Sequence, residues 1–232
     1  MLIYGKEKRA QISIMVSNFN YFQITVSECK IFLLDITDNH NNMQSDLIPR
    51  EQLIDIQKYR FKRDRNKRLL ARNFLYTYLK DRYGINSFEL DYNQYQKPFL
   101  KDNKAIDFSI SYSNDFVLVA VSHKHKVGAD IEYIDKNINH NELKEVIMHN
   151  DEIKYYNQLQ TEEAKVDFFF EVFSTKESLI KSMGMGLYFD VKAIDILNLK
   201  ASEEFASRNH SLTTSLFDQV KMDYKASISL FT

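Results

Sequence analysis

The chain of 232 residues has a single cysteine, Cys29, which excludes an intrachain disulfide and a zinc site built from cysteines. Its five glycines and two prolines leave no flexible linker, collagen-like tract or Gly-rich phosphate loop. No apolar run approaches the roughly 20 residues that a helix needs to cross a bilayer. The first residues also lack the long apolar region of a signal peptide. We therefore expect a cytoplasmic protein that does not enter a membrane.

Charge is unevenly distributed along the chain. Residues 1–115 carry 18 Lys and Arg against 14 Asp and Glu, a net of +4, and residues 116–232 carry 13 against 18, a net of −5, which together give the overall −1. A basic half beside an acidic half suits an anionic ligand held between them, with a cation on the acidic side. Chance variation is the alternative interpretation.

The hydrophobic pattern predicts strands and helices in alternating groups. KIFLLDI (30–36) is typical of a buried strand, Pro49 opens a helix, and a second helix is capped by Asp64 and ended by Gly84. The segments FSISYS, VLVAVS and GADIEYI then predict successive strands of one antiparallel sheet.

The remainder of the chain continues this alternation. Residues 142–159 and 162–183 are predicted to be helical, and DVKAIDILNL, HSLTTSLF and KASISLF are predicted to be three closing strands. Residues 1–28 are weakly patterned and predict one or two strands. The order predicts an α+β protein in two halves.

The block GADIE places two acids one residue apart on a predicted strand. Side chains alternate along a strand, so Asp130 and Glu132 point to one face while Ala129 and Ile131 point to the other. Two neighbouring carboxylates indicate either an exposed polar face or a divalent cation between them.

A third acid interrupts the apolar stripe of the helix predicted over 162–183. The stripe consists of Val166, Phe169, Phe170 and Phe173. Its continuation passes through Glu177 and Ile180 before Gly184 ends the helix. Glu177 is either exposed, or paired with Lys181 for about 0.3–0.5 kcal/mol, or joined with Asp130 and Glu132. Three carboxylates would make an all-oxygen site for Mg²⁺ or Mn²⁺, with a substrate carrying a di- or polyphosphate.

Four blocks of this sequence resemble the 4′-phosphopantetheinyl transferases. GADIE resembles the family's G-(V/I)-D-(I/V)-E block, and FSTKESLIKSMGMGL resembles its W-S-x-K-E-(A/S)-x-x-K-x-x-G-x-G-L block. QKPFL resembles its G-K-P segment and FSISYS its F-N-x-S-H-S segment. The order and spacing are similar to those of the larger two-lobed members, the type that activates surfactin synthetase. The chain departs from the pattern at Ser109, Tyr112 (the family's phosphate-contacting histidine), Phe173 and Gln96.

The resemblance implies a fold and a reaction. The fold would be two similar α+β halves related by a pseudo-two-fold axis, each with an antiparallel sheet packed on helices and with the cofactor in the cleft between them. We place the halves at residues 29–115 and 116–232, after an extension over residues 1–28. The reaction would be Mg²⁺-dependent transfer of 4′-phosphopantetheine from coenzyme A to a serine of an apo acyl or peptidyl carrier protein, releasing adenosine 3′,5′-bisphosphate.

The resemblance also implies roles for the acidic residues. Asp130, Glu132 and Glu177 would hold the metal ion against the pyrophosphate of coenzyme A. Lys181, one helical turn beyond Glu177, would stabilise or protonate the leaving group. Glu177 is the first choice for the base that takes the serine proton, and Glu152 is the second.

Basic residues are expected to line the coenzyme A cleft. The run over residues 58–72 has eight Lys and Arg and one acid, and its alternative interpretation is a solvated helix face. The cofactor-binding residues implied by the resemblance are Lys58, Arg68 and Arg72 for the 3′-phosphate, Lys97 from the K-P match, and Ser111, Tyr112 and Lys181 for the phosphates.

Two other function classes fit the same residues. A metal-dependent nuclease or phosphodiesterase would use the same three carboxylates, with the basic run against a nucleic-acid backbone. A non-catalytic module would bind coenzyme A or a carrier protein, with Tyr112 marking lost activity. The preferred interpretation expects coenzyme A and a carrier protein as partners, no nucleic acid, and a monomer.

Overall fold

The computed structural model describes residues 16, 18–43, 46–201, 211–214 and 223–231. These residues form three antiparallel sheets, of which the two larger ones lie between two long helices and the third has two strands. The strands are β1 (Phe22–Val26), β2 (Cys29–Asp35), β3 (Leu90–Tyr92), β4 (Pro98–Leu100), β5 (Asp107–Ser113), β6 (Phe116–Ser122), β7 (Lys126–Tyr133), β8 (Ser211–Thr214) and β9 (Tyr224–Phe231). The α-helices are α1 (Arg50–Gln57), α2 (Lys62–Tyr83), α3 (His140–Ile147), α4 (Asn150–Gln158), α5 (Glu162–Met183) and α6 (Ile196–Ala201). The mixed α+β class is confirmed.

The first sheet has the strand order β1-β2-β6-β5 and is covered by α2. Phe32 and Leu34 of β2 and Val119 of β6 share the face that packs against Leu70 and Phe74 of α2. The rings of Phe32 and Phe74 meet edge to face at 4.9 Å. The period of two along each strand thus gives this sheet one face for α2 and leaves the other face for a second layer.

The second sheet has the order β7-β9-β8 and packs on that other face. Ile31 and Leu118 of the first sheet contact the cluster that contains Ala129, Ile131 and Ile228 of the second. The alternation predicted for GADIE is therefore confirmed, because the two apolar residues lie between the sheets. The alternate positions of β7 and β9 face α5.

The prediction of one continuous sheet through β5, β6 and β7 is wrong. β6 pairs with β2 along one edge and with β5 along the other, so it has no free edge for β7. β7 instead pairs with β9, from Lys126 opposite Phe231 to Tyr133 opposite Tyr224. The predicted strands in HSLTTSLF and KASISLF are confirmed as β8 and β9.

Two predictions for the segment after β7 are also wrong. The helix predicted over 142–159 is two helices, because Met148 and His149 adopt extended backbone conformations and His149 caps α4. The strand predicted in DVKAIDILNL is a 3₁₀ turn (Val191–Ala193) followed by α6. The side chains of Asp190 and Asp195 each accept a hydrogen bond from the backbone N–H group two residues ahead, which starts helical turns.

The ends of the two long helices follow the sequence signals in part. Gly84 and Gly184 end α2 and α5 with φ of +67° and +68°, as predicted. Asp64 does not cap α2, because the helix begins at Lys62 and Asp64 lies in its first turn, where an acid favours the helix dipole.

Two features bear on the predicted boundaries of the halves. β6 belongs to the first sheet, although it follows residue 115, and β1 pairs with β2 along its length, although it precedes residue 29. Residues 1–15 and 17 of the predicted extension lie outside the described residues. None of the helices in the described part of the chain is long and apolar enough to cross a membrane.

Candidate active site

Gly128 brings α5 directly against β7. A Cβ atom at this position would lie 1.8 Å from the carbonyl oxygen of Ser178 and 2.4 Å from the backbone nitrogen of Ser182. The hydroxyls of Ser174 and Ser178 contact those of Ser227 and Ser229 of β9 at 2.6 and 2.7 Å. Small side chains at i, i+4 and i+8 of α5 therefore allow a close approach that places the acids of β7 beside α5.

The polar side chains of β5 join the first sheet to β7. Asp107 accepts the backbone N–H of Val127 at 2.7 Å, and Ser109 accepts that of Ala129 at 2.9 Å. Ser113 accepts the N–H of Tyr133 at 2.9 Å in the same way. These alternating side chains satisfy backbone donors along the free edge of β7, which explains the polar residues in the DFSISYS strand.

Asp130 lies at the centre of the acidic cluster and is 1% exposed. Its Oδ1 accepts hydrogen bonds from Lys181 Nζ at 2.5 Å and from the hydroxyl of Ser111 at 2.9 Å. Its Oδ2 is buried and has no hydrogen-bond partner among the residues that the structure describes. A buried carboxylate oxygen without a donor is costly, so this atom points to a ligand that the chain itself does not supply.

Glu132 and Glu177 surround Asp130 and are strongly perturbed by it. Burial, followed by the charge of Asp130, raises the pKa of Glu132 from 4.5 to about 8, while Lys181 opposes the shift. Burial also raises the pKa of Glu177, with Lys181 opposing and Asp130 reinforcing the shift. One ammonium group thus faces three carboxyl groups, and the raised pKa values of two of them reflect burial and the charge of Asp130.

The three carboxylates fit a divalent cation by donor type and charge. Their oxygens suit Mg²⁺ or Mn²⁺ better than zinc, and the unpartnered Asp130 Oδ2 offers one ligand directly. In the described part of the chain, however, the carboxylate oxygens of these three residues do not all lie within 4.8 Å of one another. Lys181 supplies a neutralising charge to Asp130.

A second group of potential metal ligands lies within 4.8 Å, but its side chains cap helices. Ligand atoms of His149, Asp151 and Asp195 lie within 4.8 Å of one another. However, His149 Nδ1 accepts the backbone N–H of Asp151, and Asp195 Oδ1 accepts those of Leu197 and Asn198. These side chains cap the starts of α4 and α6.

The structure does not bring Glu152 to the acidic cluster. Glu152 and Lys176 are both 0% exposed and form an ion pair of 2.7 Å. The carboxylate also accepts the backbone N–H groups of His149 and Ile196 at 2.7 and 2.8 Å. Because both oxygens are engaged and the side chain is not exposed, the contacts of Glu152 favour a structural role, and its role as a second catalytic base stays a prediction.

Arg68, Arg72 and Tyr112 form a basic surface between α2 and β5. The Arg68 guanidinium lies 3.5 Å from the ring centroid of Tyr59 and 4.9 Å from that of Tyr112. Nη1 of Arg72 is buried without a hydrogen-bond acceptor in the described residues. Burial raises the pKa of Tyr112, whereas the charges of Arg72, Arg68 and Lys181 lower it, so the tyrosine lies within electrostatic reach of both α2 and α5.

Two other predicted cofactor residues have partners within the chain. Lys58 forms an exposed ion pair with Asp55 at 2.6 Å. Lys97 Nζ donates to Asp107 at 2.7 Å and to the carbonyl oxygen of Val127 at 3.0 Å. Of the predicted site residues, the structure therefore gathers Asp130, Glu132, Glu177, Lys181 and Ser111 on one side, and Arg68, Arg72 and Tyr112 on the other.

Sequence reasoning missed the residues that position this site. No role was predicted for Gly128, for the serines of α5 or for Asp107. The available signals were small residues spaced four apart in α5 and polar residues at alternate positions of β5. An acidic cluster, together with a buried Arg72 Nη1 that has no acceptor among the described residues, suits a phosphate ester and a cation.

The sequence matches two models of one protein family. Residues 37–124 match the family model described as "4′-phosphopantetheinyl transferase, N-terminal", and residues 126–229 match that of the 4′-phosphopantetheinyl transferase superfamily. The two matches meet in the turn between β6 and β7. The chain belongs to the 4′-phosphopantetheinyl transferase superfamily.

Two curated proteins are similar over part of their length. The chain is 32% identical over 143 residues to the 4′-phosphopantetheinyl transferase gsp of Aneurinibacillus migulanus, covering 60% of this chain and 57% of that protein. It is 30% identical over 122 residues to the L-aminoadipate-semialdehyde dehydrogenase-phosphopantetheinyl transferase of Candida glabrata, covering 50% and 47%. The chain thus spans about half the length of the curated relatives it matches.

Proposed function

We propose that this chain transfers 4′-phosphopantetheine from coenzyme A to a serine hydroxyl of an apo acyl or peptidyl carrier protein, and releases adenosine 3′,5′-bisphosphate. The observation that carries the proposal is the buried, unpartnered Oδ2 of Asp130 beside two carboxylates whose pKa values are raised. The two family matches, one of which includes Asp130 and its strand β7, support the same reaction. A monomer, a cytoplasmic location, a two-fold relation between the halves and a cofactor cleft between them remain predictions.

The reaction requires charge neutralisation at a pyrophosphate. Asp130, Glu132 and Glu177 would hold Mg²⁺, which when bound supplies positive charge to the oxygens between the two phosphates. Lys181 extends from α5 to the same cluster and is half-buried, so its ammonium can bind a leaving phosphate oxygen. Arg68 and Arg72 on the opposite side would hold other phosphate oxygens of the cofactor.

Glu177 is the group best suited to take the proton. The serine oxygen of the carrier protein forms a bond to the pantetheine-side phosphorus as the bond to the bridging oxygen breaks, and the serine proton goes to a base. Because burial raises the pKa of Glu177, its carboxylate is a stronger base than an exposed glutamate. The adenosine bisphosphate leaves with the bridging oxygen.

A mass measurement tests the proposal directly. The chain is incubated with apo-carrier protein, coenzyme A and Mg²⁺, and a gain of about 340 Da on the carrier is expected from covalent transfer of phosphopantetheine. Glu177→Gln should abolish the gain, whereas Glu163→Gln, an exposed acid on the same helix, should leave it unchanged. Absence of the gain with acyl and peptidyl carriers alike, despite coenzyme A binding, would indicate a binding module instead.

A further inference from the structure

The turn between β3 and β4, residues 93–97, connects the first half of the chain to both elements that carry the acidic site. Asn93 Nδ2 donates to the carbonyl oxygen of Gly184 at 2.8 Å, across 91 residues of sequence. Lys97 Nζ donates to Asp107 and to the carbonyl oxygen of Val127. We call residues 93–97 the clasp turn.

The clasp turn is itself fixed by the side chain of Asn93. Asn93 Oδ1 accepts the backbone N–H groups of Tyr95 and Lys97, each at 2.9 Å. The turn also fits closely against the end of α5, since a Cβ atom on Gly186 would lie 2.9 Å from the carbonyl oxygen of Tyr95. The one amide group of Asn93 therefore shapes the turn with its oxygen and binds α5 with its nitrogen.

Both contacts lie close to groups of the acidic site. The N–H of Gly184 donates to the carbonyl oxygen of Lys181, so Asn93 holds the helical turn from which the Lys181 side chain extends to Asp130. On the other side, Asp107 accepts both Lys97 Nζ and the N–H of Val127, three residues before Asp130. The clasp turn thus fixes the last turn of α5 and the start of β7 at the same time.

We infer that Asn93 and Lys97 are positioning residues, which set the placement of Lys181 relative to Asp130 and do not themselves bind the cofactor. The inference rests on the proposed function for its kinetic test and on the acidic cluster alone for its metal-binding test. It gives Lys97 a role different from the cofactor contact that the K-P match implies, because two of the three N–H donors of its ammonium already bind Asp107 and Val127.

Asn93→Asp separates the two functions of the side chain. A carboxylate still accepts the N–H groups of Tyr95 and Lys97, but it cannot donate to Gly184. We expect kcat to fall at least about tenfold with the KM for coenzyme A changed less than about threefold, because misplacement of a reacting group affects the chemical step. The melting temperature should stay within about 4 °C of the parent chain. Gln94→Ala, at an exposed position in the same turn, is the control and should change neither constant.

Mn²⁺ titration followed by water proton relaxation provides a readout that is independent of turnover. Asn93→Asp and Lys97→Met should each weaken Mn²⁺ binding by about tenfold, the effect typical of residues that orient metal ligands. If the chain transferred no phosphopantetheine, the titration alone would decide the inference. Parent-like kcat and Mn²⁺ affinity in Asn93→Asp would overturn it, as would a parent chain that binds no Mn²⁺. A Lys97→Met variant with a tenfold higher KM for coenzyme A and unchanged kcat would instead identify Lys97 as a cofactor ligand.

Discussion

The ion pair between Lys176 and Glu152 is fully enclosed, and breaking it should strongly destabilise the fold. Lys176→Met removes the ammonium that lies 2.7 Å from the carboxylate and 2.8 Å from the carbonyl oxygen of Ile147. The Glu152 carboxylate then keeps only its two backbone N–H donors in a site that is 0% exposed. Uncompensated buried charges of this kind cost about 3–5 kcal/mol.

A double-mutant cycle measured by urea denaturation tests the magnitude. Glu152→Gln alone should cost about as much as Lys176→Met, because it leaves the buried ammonium without a counter-charge. The double variant should be more stable than the sum of the single effects by about 2–3 kcal/mol, since neither charge is left alone. Lys165→Met on the same helix removes an ion pair to the exposed Glu162 and should cost at most about 1 kcal/mol.

The cycle has a clear refuting outcome. A Lys176→Met variant that loses less than about 1 kcal/mol, or a coupling free energy near zero, would show that the pair is not the buried unit described above. It would also favour the predicted role of Glu152 as a second catalytic base, because a structural role depends on the carboxylate being fully engaged.

Three further predictions concern the site and its supports. In EDTA, the free energy of unfolding should fall as pH rises between about 5 and 8, because the folded state holds on Glu132 a proton that the unfolded chain has released; Glu132→Gln should flatten the dependence by on the order of 2 kcal/mol, measured as the change in urea midpoint. Gln96 has φ of +68°, so Gln96→Gly should raise the melting temperature through relief of up to about 1 kcal/mol of backbone strain, and a lower melting temperature would contradict this. Gly128→Ala should cost at least about 3 kcal/mol or prevent folding, seen by circular dichroism, because its methyl group would lie 1.8 Å from the Ser178 carbonyl oxygen.

Local patterns predicted the parts of the fold that depend on nearby residues. The glycines that end α2 and α5 and the alternation in GADIE were predictable, because backbone conformation and side-chain period act within a few residues. The partner of β7 was not predictable in this way. It is decided by β6 having both edges occupied, and a strand's sequence does not record which of its edges is free.

The candidate site likewise contains residues that were predictable from the sequence and residues that were not. Asp130 and Glu132 were predicted together because they share one face of a strand, and Glu177 was added because it interrupts the apolar stripe of a helix. The sequence did not show that Glu152 and Lys176 pair with each other away from the acidic cluster. An acid and a lysine in a buried ion pair are the same residue types as an acid and a lysine in a catalytic pair. Only the burial and the hydrogen-bond partners distinguish them.

The contact between β5 and β7 has a consequence for exchanging parts between related chains. Three side chains, those of Asp107, Ser109 and Ser113, bond the backbone of β7 where a neighbouring strand would otherwise lie. The backbone hydrogen bonds between strands form separately within each sheet, so a shift in strand register in one sheet does not require a shift in the other. A chimera that grafts a foreign second sheet onto this first one would have to match these three oxygens and the Ser111 hydroxyl that donates to Asp130.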